Sequence, residues 1–241
     1  KMVSISVVIP VYRGAKSIPQ LMQDLAQELP KITDNYEVIM VENDGGDNSW
    51  DVIQALSEKY TFLTGIKLMR NYGQHSALLC GIRVAQYEVV VTMDDDLQHP
   101  PEEIPKLLAA LTDDIDVLYG APQGGVHGLW RNLASKLSKL VLRGAMGAHM
   151  AQDAGAFRIF RTSLRDRFAD FNSPIVNMDV LLTWTTDRFG SVKVKHAARA
   201  SGRIKLDIGG LRRVIKDDHK VSDLLEPDCY ISLGSDCIGR R

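Results

Sequence analysis

Two hydrophobic periods alternate along the first part of the chain. Ile5 to Val11 (ISVVIPV) is a short run rich in β-branched residues, the pattern of a strand buried on both faces. Ser17 is a candidate N-cap ahead of Ile18, Leu21, Met22, Leu25 and Leu29, which recur at helical spacing. Tyr36 to Val41 (YEVIMV) predicts a second strand, ENDGGDNS a turn cluster, and Trp50 to Lys59 a second helix. Thr64 to Met69 reads as a third strand, RNYGQHSALLCGIRVA as a loop entering a helix, and Glu88 to Met93 as the next strand. Strands and helices in this alternation predict βαβ units: an α/β fold, its sheet mainly parallel with helices on both faces. In such sheets ligands bind beyond the carboxyl ends of the strands. That topology brings Tyr12–Lys16, Glu42–Asn48, Arg70–His75 and Asp94–His99 to one edge.

The second half is less regular. Val117 to Gly120, Phe157 to Phe160 and Ser191 to Ala197 read as strands, and Asn177 to Arg188 as a helix. Gly128 to Gly144 reads as an amphipathic helix, with Leu129, Leu133, Leu137 and Val141 on one side and Lys136, Lys139 and Arg143 on another. That basic stripe suits anionic lipid or phosphate, and equally a solvated helix face.

Composition narrows the function classes. The 241 residues carry 29 basic and 30 acidic side chains, so no global field draws nucleic acid, and no nucleic-acid partner is expected. Three cysteines, Cys80, Cys229 and Cys237, make an odd count without metal-ligand spacing, which points to a reducing compartment. No secretory signal is recognised, and no apolar run approaches the roughly 18 residues of a membrane span. A soluble chain able to sit against a membrane is expected.

The candidate chemistry begins at VTMDDDLQHPP. Asp94 and Asp96 are two apart, so in an extended segment their side chains share one side while Asp95 points away. Two carboxylates so placed suit a hard divalent cation, Mg²⁺ or Mn²⁺, with positions left open for a diphosphate. A solvated acidic turn after a strand explains the same residues.

VVIPVYRG, VENDGGDNS, RNYGQHSALLCGI and MDDDLQHPPEE together resemble family 2 glycosyltransferases of the GT-A fold. The closest resemblance is to the branch that moves sugars onto polyprenyl phosphates, dolichyl-phosphate mannose synthase and its bacterial undecaprenyl relatives. It continues through GLWRNLASKLSKLVLRGAMG and DAGAFRIFR, covering roughly residues 3 to 203. The resemblance implies that Asp94 and Asp96 hold the metal on the nucleotide-sugar diphosphate, with Gln98 beside it. Asp95, where relatives often carry a small residue, lies in the same donor-binding loop as a spacer. Pro10 and Tyr12 would line the nucleoside, and Glu42 would contact base or ribose. Arg131 would stand near the diphosphate or acceptor phosphate, Asp153 on the acceptor side, and Arg199 as a phosphate clamp. The chain departs from the family at Arg13-Gly14-Ala15, where relatives commonly place an acid, and at Glu42-Asn43-Asp44, where they often read Asp-Asp-Gly. SPIVNMD also diverges and introduces Asp179.

The expected activity is therefore metal-dependent, inverting transfer of a sugar from a UDP-, GDP- or dTDP-linked donor. The acceptor would be a polyprenyl (lipid) phosphate or a glycan hydroxyl, in cell-surface polysaccharide or glycolipid synthesis. A hydroxyl acceptor needs a general base, for which Asp153 and Asp179 are candidates, whereas a phosphate is already an anionic nucleophile. Asp179 also reads as a helix-start carboxylate favoured by the dipole. A nucleotidyltransferase on a similar sheet and a non-catalytic nucleotide-sugar binding module are the alternatives. Location is expected to be cytoplasmic, with peripheral contact at the inner face of the plasma membrane. Residues 1–203 are expected to form the GT-A domain, and 204–241 a linker and the opening of a further domain.

Overall fold

The computed structural model describes residues 3–123, 153–173, 176–197, 229–233 and 236–237. The expected helix 128–144, its basic stripe, Arg131 and Arg199 lie outside the described residues. The predicted βαβ alternation is present: β1 (Ile5–Val11), α1 (Ile18–Ile32), β2 (Tyr36–Glu42), α2 (Ser49–Lys59), β3 (Leu63–Leu68), α3 (Gln74–Val84) and β4 (Val89–Thr92). A 3₁₀ turn at Pro101–Glu103 leads into α4 (Ile104–Ala110), which the hydrophobic pattern did not announce. Then come β5 (Val117–Pro122), β6 (Arg158–Arg161), a 3₁₀ stretch (Thr162–Phe168), α5 (Met178–Thr183), β7 (Phe189–Val194), β8 (Cys229–Leu233) and β9 (Asp236–Cys237).

Among the described residues these strands form one sheet in the order β7-β5-β6-β4-β1-β2-β3-β8-β9. β4, β1, β2 and β3 are mutually parallel, as are β5 and β7. β6 is inserted antiparallel between β4 and β5, and β8 runs antiparallel along β3. The fold is thus mixed and mainly parallel. The expected helix from Asn177 to Arg188 is shorter, ending at Thr183, and the last family-like strand starts two residues early at Phe189.

The alternation along β1 explains the layers. Ile5, Val7, Ile9 and Val11 pack with Leu21, Met22 and Leu25 of α1 and Ile53 of α2 on one face. Val8 turns to the other face with Leu78 and Ile82 of α3 and Leu181 of α5. Ser17 does occupy the N-cap position of α1, but its hydroxyl donates back to the Gly14 carbonyl at 3.1 Å.

α3 lies close on the sheet because of Gly81. A Cβ there would stand 2.5 Å from Val8 Cγ1 and 3.0 Å from Val41 Cγ2. Gly81→Ala therefore overpacks the α3–sheet layer despite the gain in helix propensity. The expected cost is about 1–3 kcal/mol, read as a lower midpoint in urea unfolding.

Candidate active site

The parallel strands end together, and their loops are stitched to one another by side chains of the turn residues. In the loop after β1, the Gly14 N–H donates to Ser49 Oγ at 3.0 Å and the Ala15 N–H to Asp47 Oδ2 at 3.3 Å. Arg13, at φ 59°, donates from Nε to the Gly45 carbonyl at 2.8 Å, and its guanidinium lies 5.2 Å from the Tyr12 ring centre. Glu42 is only 3% exposed, and its Oε1 accepts from the Gly45 N–H at 2.8 Å. One carboxylate oxygen thus closes the turn that carries it. Asn43 joins the loops after β2 and β3. Its Oδ1 accepts from the Tyr72 N–H at 2.9 Å and its Nδ2 donates to Asn71 Oδ1 at 3.1 Å.

The three aspartates after β4 face three different partners. Asp94 Oδ1 accepts from Gln74 Nε2 at 2.6 Å, and the Asp94 N–H points to His99 Nδ1 at 3.4 Å. Asp96, 9% exposed, accepts at Oδ1 from the Gln98 N–H at 3.1 Å across Leu97, whose φ is 64°. Asp95 points to the first-strand loop, where its Oδ2 accepts from the Tyr12 N–H at 3.2 Å. Gly14 makes room for it: a Cβ at that position would lie 2.3 Å from Asp95 Oδ2. Asp95 is therefore more than a spacer, because it fastens the loop carrying Tyr12 to the loop carrying the aspartates.

The electrostatics of this turn are those of crowded carboxylates. Burial, opposed by the Tyr12 N–H and reinforced by the charges of Asp94 and Asp96, pushes Asp95 up to about 7. His99 stacks 5.2 Å from the Phe157 ring, and burial together with His196 lowers it to about 4. It is neutral at ordinary pH, which leaves Nδ1 able to accept. Hard oxygen donors crowded at the end of a buried strand fit Mg²⁺ or Mn²⁺. Among the described residues no three His, Cys, Asp or Glu side chains are gathered to hold a metal ion.

The acceptor-side candidates are both engaged. Asp153 accepts from Ser191 Oγ at 2.7 Å and pairs with Lys193 Nζ at 3.4 Å. Asp179 lies in the first turn of α5, which Asn177 caps by accepting from the Asp179 and Val180 N–H groups. Its Oδ1 receives Arg158 Nη1 at 2.5 Å and the Tyr119 hydroxyl at 2.9 Å. Arg158 is 2% exposed, and its Nε has no hydrogen-bond partner among the described residues. Pro10 is buried within β1, whereas Tyr12 is 45% exposed at the site's rim. Sequence reasoning missed Arg158 and Gln74. The available signal for Arg158 was a cation inside the apolar stretch GAFRIF.

His75 shows how buried the α3–α5 junction is. Its Nδ1 accepts from the Met178 N–H at 3.2 Å, and burial and the positive charge of Arg158 lower its pKa from 6.5, against Asp179. In the unfolded chain His75 protonates below 6.5, whereas the folded protein resists that proton. Stability is therefore fully present above that pH and falls as pH drops beneath it, by up to about 1.4 kcal/mol per pH unit. Asp95, raised to about 7, and His99, lowered to about 4, titrate in both proteins, so the difference between wild-type and His75→Gln melting curves from pH 7.5 to about 5.5 should show this loss.

The family model for glycosyl transferase family 2 matches residues 6–171, most of the chain. The chain belongs to that family. It is 33% identical over 214 residues to an undecaprenyl-phosphate 4-deoxy-4-formamido-L-arabinose transferase of Aeromonas hydrophila, covering 88% of this chain. The chain spans 66% of the length of that relative. Among solved structures it resembles a mannosyltransferase of Pyrobaculum calidifontis in complex with GDP-Man and Mn²⁺, at TM-score 0.61 and 17% identity over 84% of this chain and 59% of that one. It also resembles the glucosyl-3-phosphoglycerate synthase of Mycobacterium tuberculosis in complex with Mn²⁺ and UDP-glucose, at TM-score 0.59 and 19% identity over 88% of this chain and 77% of that one. These likenesses establish the GT-A fold expected from the sequence motifs.

Proposed function

We propose that this family 2 protein transfers a sugar from a nucleotide-sugar to a polyprenyl phosphate, with inversion at the anomeric carbon. The observation that carries the reading is the carboxylate pair Asp94 and Asp96 on the loop where the parallel strands end. In this reading Asp94 and Asp96 hold Mg²⁺ or Mn²⁺, which supplies positive charge to the diphosphate as it departs. Gln98 lies beside the pair, and Pro10, Tyr12 and Glu42 shape the nucleoside side. Asp95 keeps the Tyr12 loop against the diphosphate loop. Arg131 and Arg199 complete the phosphate contacts. Excluding water around these groups strengthens each electrostatic contact.

The acceptor oxygen attacks the anomeric carbon from the face opposite the diphosphate. The new carbon–oxygen bond forms as the bond to the diphosphate breaks, and the electron pair leaves with the nucleoside diphosphate. Two observations favour a phosphate over a glycan hydroxyl. The Aeromonas relative is named for undecaprenyl phosphate. Asp153 and Asp179, the candidate bases a hydroxyl would require, are each paired with a cation. A lipid acceptor implies work at a membrane surface, on its cytoplasmic side. Among the described residues no helix is long and apolar enough to cross one. Residues 1–203 form the catalytic unit in this reading, and 204–241, which include β8 and β9, follow it.

A screen of UDP-, GDP- and dTDP-sugars with and without Mn²⁺ tests the donor half. At a hundredfold excess over Kd the true donor stabilises the folded state by about 2.7 kcal/mol. For a chain of this size that raises Tm by about 5–10 °C, and only when the metal is present. Stabilisation by nucleoside triphosphates with release of pyrophosphate would instead support a nucleotidyltransferase. Transfer to undecaprenyl phosphate, and none to glycan hydroxyls, completes the test.

A further inference from the structure

The first turn of α3 touches both sides of the site through consecutive residues. Gln74 donates to Asp94 Oδ1 at 2.6 Å, while His75 accepts from the Met178 N–H at the start of α5 at 3.2 Å. The turn that presents them is fixed by the core. Ala77 and Met178 are fully buried, and Leu78 is 1% exposed. Gly73 at φ 90° lets the chain enter the helix, and a Cβ there would meet nothing within 4 Å. That glycine serves the dihedral angle rather than packing. The Gln74 amide therefore reaches Asp94 from a rigid platform, although the residue itself is exposed.

We propose that Gln74 is a positioning residue for the cation: its amide holds the Asp94 carboxylate in the orientation that metal binding requires. The inference rests on the reading of Asp94 and Asp96 as metal-holding groups. A carboxylate on a loop rotates freely about its side-chain bonds, and orienting it in advance removes that entropy from the binding step. Groups that hydrogen-bond to metal-bound carboxylates typically change affinity by about 10–100-fold when removed. Gln74 meets Asp94 at its carboxylate and His99 meets it at its backbone N–H. Gln74 acts directly on a carboxylate oxygen.

Titration of Mn²⁺ into the protein with UDP or GDP present, followed by the electron paramagnetic resonance of free Mn²⁺, reads the effect directly. Gln74→Leu should weaken Mn²⁺ binding by about tenfold. Affinity for UDP or GDP without metal and the melting temperature should both stay at wild-type values. Gln74→Asn keeps the amide but shortens the arm by one methylene, and should also weaken Mn²⁺ binding. Unchanged Mn²⁺ affinity in both variants overturns the inference, as does an equal loss of metal-free nucleotide affinity or a fall in melting temperature. Wild-type protein that binds no Mn²⁺ removes the underlying reading and this inference with it. Wild-type binding with an indifferent Gln74 removes this inference alone.

Discussion

Asp96→Ala should lower sugar transfer by about three orders of magnitude, with the fold retained. Asp96 is buried at the end of β4, and its carboxylate accepts from the Gln98 N–H. Removing that bond costs roughly 1 kcal/mol, or about 2–4 °C in melting temperature. It also removes a charge crowded against Asp94 and Asp95, which offsets part of the loss. Catalysis has no such offset, because Asp94 alone would hold the cation at the diphosphate. Initial rates of transfer from the donor found by the stabilisation screen, with a melting curve on the same sample, separate the two effects. Full activity in this variant would falsify the metal-holding role of the pair.

Asp179→Ala should behave in the opposite way, with a large loss of stability. It leaves Arg158, 2% exposed, as a buried charge that has lost its partner. Breaking a buried pair from one side costs about 3–5 kcal/mol, enough to lower Tm by about 10 °C. The Tyr119 hydroxyl, fully buried, loses its acceptor in the same step. Replacing both charges, as in Arg158→Met with Asp179→Leu, should recover most of the stability, since an apolar pair of similar volume carries no desolvation penalty. A double mutant no more stable than Asp179→Ala would show that the ion pair is not what holds α5 to the sheet.

The contrast shows what the sequence carried and what it hid. Strands β1 to β4 were legible because each is a short apolar run bounded by turn residues. The aspartate loop was legible for the same reason, since three charges follow one of those runs. Alternation set Asp95 apart from Asp94 and Asp96, and its carboxylate does face another loop, but spacing gave no sign that the Tyr12 N–H would be its partner. Beyond Thr92 the backbone leaves the strand and reaches φ 64° at Leu97, so spacing alone no longer decides direction. α4 was hidden by Pro100, Pro101 and Pro105, although prolines are tolerated in a helix's first turn. The Asp179–Arg158 pair joins residues on α5 and β6, and no local period reports a contact at that separation. Helix-start patterning placed Asp179 correctly and gave no sign of the partner.

The place of β6 in the sheet bears on how the protein is made. β4 pairs with β1 on one side, but its other edge is covered only when Arg158–Arg161 arrive, some seventy positions later in the chain. During synthesis the parallel strands can associate early, while β4 remains an open edge exposed to wrong partners. Arg158, which anchors α5, is delivered by that same late strand. One strand therefore both closes the edge of β4 and supplies the anchor for α5, so a nascent chain that has not reached β6 carries the aspartate loop on a strand with one edge still unpaired.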